Sequence, residues 1–134
     1  MVKLTDDMIS VLSETKIFMV ATASKSGVPN VVPIGMLSLQ DDKETFWMID
    51  NYLNKTIRNI MENPQVSFSC LSESGIPIQI KCDAKVEDSG ADYEKAVKIA
   101  HAKKETYPAK RLIKLKIREV YSVKPGERAG EKLL

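Results

Sequence analysis

The chain has few of the residues on which protein-borne chemistry usually depends. It holds one histidine, two cysteines and one tryptophan in 134 residues, and aromatic side chains make up only 6%. A single His leaves no zinc cluster to assemble and no Ser-His-Asp relay to build. Cys70 and Cys82 lack the spacing of a metal knuckle or a redox pair. Both fall on the apolar register of expected strands, which predicts buried free thiols. His101 falls late in a helical segment, where a surface or partly packed position is expected. No apolar run approaches the ~20 residues of a membrane span. The first residues lack the basic-then-apolar order of a signal segment, so the cytoplasm is the expected compartment. Net charge is only +2, too little to argue for nucleic acid. Lys110, Arg111, Lys114, Lys116 and Arg118 gather late in the chain, but only Tyr121 is near them for base stacking. An enzyme so equipped would take its chemistry from a bound cofactor.

What is present is ordinary globular material. With 43% apolar and 28% charged residues, residues 1–134 read as one domain, long enough to bury about two-thirds of its unfolded surface. Thr5-Asp6-Asp7 caps a short helix with Met8, Ile9 and Leu12 on its apolar side. Residues 17–22 read as a strand and Ser24-Lys25-Ser26-Gly27 as a hairpin turn. The return runs from Pro29 to Leu39 as a single strand, with Pro33 and Gly35 inside it. Proline removes a ladder donor and glycine admits a close approach, so this strand is expected to bend, or to present its backbone to a flat ligand. Residues 45–49 and the Val66, Phe68, Cys70 alternation form two further strands. The clearest strand alternates Ile76, Ile78, Ile80, Cys82, Ala84 and Val86 with polar residues, a length suited to curling round a barrel. A helix with Tyr93, Ala96, Val97 and Ala100 on one face follows, broken at Tyr107-Pro108, and its lysine-rich side reads as solvated. The last strand carries Ile113, Leu115 and Ile117. Six strands joined mostly by hairpins, with three helices inserted, indicate a mainly β, small antiparallel barrel rather than a βαβ sheet.

One stretch departs from the ordinary. The apolar run Phe46-Trp47-Met48-Ile49 stops at Asp50-Asn51-Tyr52, and a helical pattern opens at Asn54-Lys55-Thr56 with Ile57, Ile60 and Met61 as its apolar positions. Asn54 is placed as the N-cap. Helix starts carry free N–H groups and the positive end of the dipole, so acids usually sit there. Here Lys55, Thr56 and Arg58 come first, with no carboxylate before Glu62. A cation at that position is unfavourable unless an anion offsets it, which makes Lys55 and Thr56 a candidate phosphate grip. A solvated lysine on a connector helix is the plain alternative.

The succession Val20-Ala21-Thr22, Gly27-Val28-Pro29, Val31-Val32-Pro33-Ile34-Gly35, Asn54-Lys55-Thr56, Asn63-Pro64-Gln65-Val66-Ser67 and Gln79-Ile80-Lys81 resembles the FMN-binding split β-barrel family. That is the superfamily of pyridoxamine 5′-phosphate oxidase and the small FMN-binding proteins. The resemblance covers nearly the whole chain, in order. It implies an antiparallel split β-barrel with short flanking helices, forming a homodimer with FMN at the subunit interface. Lys55 and Thr56, with Asn54 adjacent, would hold the phosphate. Pro33, Ile34, Gly35 and Met36 would run along the isoalloxazine edge, Ile49 and Asp50 would meet the ring or ribityl chain, and Gln79 would reach the ribityl or phosphate. The phosphate position carries Lys-Thr, as in the small FMN-binding proteins, instead of Arg-Lys. The tail from Lys124 to Gly130 lacks the Trp and Arg of the oxidase's substrate stretch, so vitamin B6 oxidation is not expected. The implied activity is that of a flavin-dependent oxidoreductase or electron carrier on a small substrate or redox partner. A non-enzymatic barrel carrying flavin, deazaflavin or haem is the alternative.

Overall fold

A computed structural model describes all of residues 1–134. Three helices, α1 (Asp6–Ser13), α2 (Lys55–Glu62) and α3 (Ala91–Lys103), accompany seven strands: β1 (Phe18–Ala23), β2 (Pro29–Ile34), β3 (Leu37–Leu39), β4 (Thr45–Asp50), β5 (Gln65–Cys70), β6 (Ile78–Glu87) and β7 (Arg111–Ser122). The strands form one sheet in the order β2-β1-β5-β6-β7-β4-β3, and every neighbouring pair is antiparallel. The mainly β, antiparallel split-barrel reading is correct.

The expected strand from Pro29 to Leu39 is in fact two, which raises the count from six to seven. β2 ends at Ile34, directly after Pro33, and Gly35-Met36 lead into β3. These consecutive strands lie at opposite edges of the sheet. In a flat sheet, six gaps of about 4.8 Å would hold the two edges roughly 29 Å apart. The step from Ile34 to Leu37 spans at most about 11 Å, three Cα–Cα steps of ~3.8 Å. The sheet must therefore curl until its edges nearly meet. Curling is assisted where β6 crosses β7: Lys81 pairs with Glu119 but Cys82 with Ile117, so Arg118 is an extra residue on the bent strand.

Inside the curl, Phe68 meets Phe18 and Phe46 edge-on, with ring centroids 5.7 and 5.0 Å away. Val20, Ile78, Ile80, Leu115 and Val120 complete that interior, and Cys70 and Cys82 are buried free thiols within it, as expected. Desolvation lifts the Cys70 thiol to about 12 and Cys82 beyond that, so both stay protonated. Thr5 caps α1 by accepting from the Met8 amide. In α2, Ile57 and Ile60 are buried but Met61 is exposed, because the helix turns only a narrow stripe to the sheet. Trp47 is only half-buried, on the other side of β4. α3 ends at Lys103, before the expected break at Tyr107-Pro108.

A surface contact fastens α3 to the sheet. Lys114 on β7 donates to Asp92 in the first turn of α3 at 2.6 Å and approaches Glu87 at 2.9 Å. The hydrogen bond from Lys114 holds the Asp92 carboxyl below its usual range, and the bonds to Asp92 and Glu87 hold Lys114 above its own. A lowered carboxyl stabilises the fold above its unfolded pKa and loses that effect as pH falls. A raised lysine stabilises it below its unfolded pKa and loses that effect as pH rises. The Tm difference between wild type and Lys114→Met is therefore expected to be constant at intermediate pH and to narrow below about pH 4 and above about pH 10. A pH series of thermal melts on the two proteins checks this; a gap that does not depend on pH would refute it.

Candidate functional site

The near-meeting of the two sheet edges leaves a cavity of about 380 Å³, within the ~300–1,000 Å³ of small-molecule sites. One wall is the end of β2 and the corner, Val32 to Met36; the floor includes Ile49 at the end of β4. Residues 51–54 form the loop beside it, Lys55 and Thr56 open α2 at one end, and Lys103 and Tyr107 reach it from the far end of α3. A larger hollow of about 660 Å³ lies beside α1 and the β5–β6 turn. Its Ser72 and Ser74 hydroxyls are already committed to Glu14, and Asp7 and Glu73 line it beside its one lysine, Lys124.

At the α2 end, donors face the cavity without partners. The first turn contains no acidic residue and no side chain caps it. Asn54, expected as the cap, has φ −125 and ψ −82 and makes no side-chain capping bond. Lys55 is exposed and takes part in no ion pair. Thr56 is 1% exposed and its hydroxyl accepts from Asn30 Nδ2 at 3.1 Å. Free helix N–H groups, an ammonium and a hydroxyl together form an anion-binding end.

Eight of the ten expected site residues line this cavity: Pro33, Ile34, Gly35, Met36, Ile49, Asn54, Lys55 and Thr56. Asp50 does not. Its carboxylate is 0% exposed, takes a 2.7 Å bond from Arg111 Nη1 and accepts from the Leu53 amide at 3.0 Å. Adjacent strand residues point to opposite faces, and here Ile49 lines the cavity while the Asp50 carboxylate turns away from it. Asp50 instead folds the loop that follows it. Gln79 lies on β6 opposite Ser69 and Tyr121, outside the cavity lining of its own subunit.

Val32, Asn51, Tyr52, Leu53, Lys103 and Tyr107 also line the cavity and were not expected. Asn51 is fixed on two sides: its Oδ1 accepts from the Ala109 amide at 2.9 Å and its Nδ2 lies 3.5 Å from Met36 Sδ. Ala109 is held at φ 42, and its carbonyl accepts from the Tyr93 hydroxyl at 2.8 Å. A left-handed alanine costs on the order of 1 kcal/mol, and these two bonds hold it there. The chain before it thus turns so that Tyr107 meets Tyr52 edge-on, ring centroids 6.3 Å apart. His101 is exposed, with Nε2 at 3.0 Å from the Tyr107 carbonyl, and does not line the cavity. The lining contains no carboxylate, histidine or cysteine.

The family model described as pyridoxamine 5′-phosphate oxidase matches residues 4–124. The chain belongs to this family. An uncharacterised protein of Methanocaldococcus jannaschii is 37% identical over 131 residues, covering 97% of this chain and 87% of the relative. Among solved structures, Group A Streptococcus HupZ superposes with a TM-score of 0.78 at 25% identity, over 95% of this chain and 99% of that one. An FMN-binding protein from Syntrophomonas wolfei gives 0.73 at 17% identity, over 87% and 83%. These likenesses fix the family and the split-barrel fold.

The pair beneath the loop, a buried Asp50 carboxylate and a half-exposed Arg111, provides the test of the local geometry. Replacing Asp50 by Ala leaves the Leu53 amide without its acceptor and the half-exposed Arg111 without its partner, and is expected to cost about 1–3 kcal/mol. Asp50→Asn keeps that acceptor and should cost clearly less. Chemical denaturation of both variants checks it; equal, negligible losses would contradict the role given to Asp50.

Proposed function

We propose that this protein binds FMN in the cavity, as a homodimer with the cofactor at the subunit interface, and acts as a flavin-dependent oxidoreductase or electron carrier. The observation that carries the reading is the cluster of unpartnered donors at the start of α2, where an anion is the missing partner. Lys55 and Thr56, with Asn54 beside them, hold the phosphate. Each hydrogen bond to such a charged group contributes roughly 1.5–3 kcal/mol. Pro33, Ile34, Gly35 and Met36 run along the ring, with Ile49 against it. Asp50 serves the site from below by shaping the loop from Asn51 to Asn54. Since Gln79 lies outside the cavity of its own subunit, any contact it makes with the cofactor crosses from the other one. FMN, when bound, supplies one- and two-electron redox chemistry. The protein's part is to anchor the phosphate, cover the ring and exclude water, consistent with a lining free of carboxylate, histidine and cysteine. Two buried free thiols suit a reducing compartment, the cytoplasm.

Support for the dimer comes from the outer face of the β1–β2 hairpin. The cross-strand pairs Met19–Pro33, Ala21–Val31 and Ala23–Pro29 are all apolar, with Met19 53% and Val31 57% exposed. Ile17 and Val28 extend the patch. Clustered apolar exposure on an edge hairpin calls for a cover, and the strand that carries it also forms the cavity wall.

Two measurements test the proposal. Titration should show FMN uptake, and Lys55→Ala should weaken it at least about tenfold, the equivalent of 1.4 kcal/mol. Protein that is colourless and takes up no FMN, or that carries a haem spectrum, would refute the cofactor assignment. Light scattering should find a dimer, and Met19→Lys with Val31→Lys should yield monomers that bind FMN at least about tenfold more weakly. Monomers with unchanged affinity would remove the interface from the site.

A further inference from the structure

Helix α2 is tied to the β1–β2 hairpin by three amide side-chain bonds. Asn30 Nδ2 donates to Thr56 Oγ1 at 3.1 Å, Asn59 Nδ2 to Thr22 Oγ1 at 3.1 Å, and Asn63 Nδ2 to the Ala23 carbonyl at 3.4 Å. Positions 56, 59 and 63 share one side of a helix. The last two bonds only fasten α2 to β1. The first also involves a cavity-lining residue.

A hydroxyl has one proton and two lone pairs, and an amide NH2 group can only donate. With Asn30 Nδ2 occupying a lone pair, the Thr56 proton cannot be directed at Asn30. No group of the chain accepts it either, since the only hydrogen bond of Thr56 Oγ1 is the one from Asn30. At 1% exposure, bulk water is not the partner. The proton is left for whatever occupies the cavity. Without Asn30 this hydroxyl could rotate and serve as acceptor or donor. With Asn30 it is a donor.

We infer that Asn30 is a positioning residue: it orients the Thr56 hydroxyl as a donor toward the anionic end of the ligand, and so makes the site select a phosphorylated flavin over the unphosphorylated one. This rests on the FMN reading above. A phosphate dianion accepts and never donates, whereas the terminal alcohol of riboflavin does both. A hydroxyl held as donor makes a charge-assisted bond to the phosphate and only an ordinary one to the alcohol, so holding it in that orientation favours the phosphate.

FMN and riboflavin are titrated separately into wild type, Asn30→Ala, Thr56→Val and the double variant. In the wild-type background, Asn30→Ala should reduce the preference for FMN over riboflavin about three- to tenfold, with riboflavin affinity held within about twofold. In the Thr56→Val background the same substitution should change the preference by less than about twofold, because Asn30 acts through Thr56. Equal losses in both backgrounds, or no loss in either, overturn the role of Asn30 while leaving the Lys55 anchor standing. A wild type indifferent to the phosphate rejects the anion site and Asn30 with it. Asn30→Leu, with the same number of side-chain heavy atoms and the same branching, is measured beside the alanine variant in case the smaller side chain does not fold, and should give the same pattern.

Discussion

The two residues between Ile34 and Leu37 impose the shape on which everything else depends. They join strands at opposite edges of a seven-stranded sheet, so the sheet can exist only in curled form. Because β2 and β3 do not pair with each other, closure is completed at this corner alone, and the remaining gap is the split. Met36 secures the corner to the rest of the sheet by accepting the Ile49 amide at 3.2 Å. The cavity lies at this corner, so residues 33 to 36 line it as a direct consequence of closing the barrel.

Charge is distributed around this cavity in a way that leaves one sign uncompensated. The carboxylate nearest in sequence, Asp50, is turned underneath and neutralised by Arg111. Lys114, farther along β7, is occupied by Asp92 and Glu87. Lys55 and Lys103 line the cavity without ion-pair partners, and the dipole of α2 adds to Lys55. The acids that might have offset this excess, Asp50 inside and Glu87 and Asp92 at the surface, are therefore engaged in holding a loop and a helix in place. Attraction for an anion follows from where those acids are spent as much as from where the lysines stand.

Much of this was legible in the sequence wherever the signal was local. The alternation along β6, the turn at Ser24 to Gly27, the Thr5 cap and the acid-free start of α2 depend on neighbours a few residues away, and each appears in the structure. The oddness of Pro33 and Gly35 was visible too, but a kink and a strand-to-strand crossing look alike without the strand order. Asp50 misled because a residue at a strand's end may face either the cavity or the layer below, and only the position of Arg111, 61 residues on, decides it. Lys103 and Tyr107 gave no warning. On a lysine-rich helix a cavity-facing lysine has the same sequence signature as a solvated one, and its placement depends on how α3 docks.

The two ends of the cavity consequently rest on different supports. Its wall at residues 32 to 36 belongs to the sheet and cannot change without disturbing closure. The end at Lys103 and Tyr107 hangs outside the barrel, held by the Lys114–Asp92 contact and by the left-handed Ala109 clasped between Asn51 and Tyr93. Substitutions there can alter what is admitted while the fold persists, because function on a shared fold is set by side chains grafted at its edge. Tyr52 belongs to both ends: it follows the Asp50 turn, touches Tyr107 edge-on, and is still 69% exposed. A large aromatic ring left open at the mouth of a cavity, braced by a second ring behind it, is placed to stack on a planar group that arrives there.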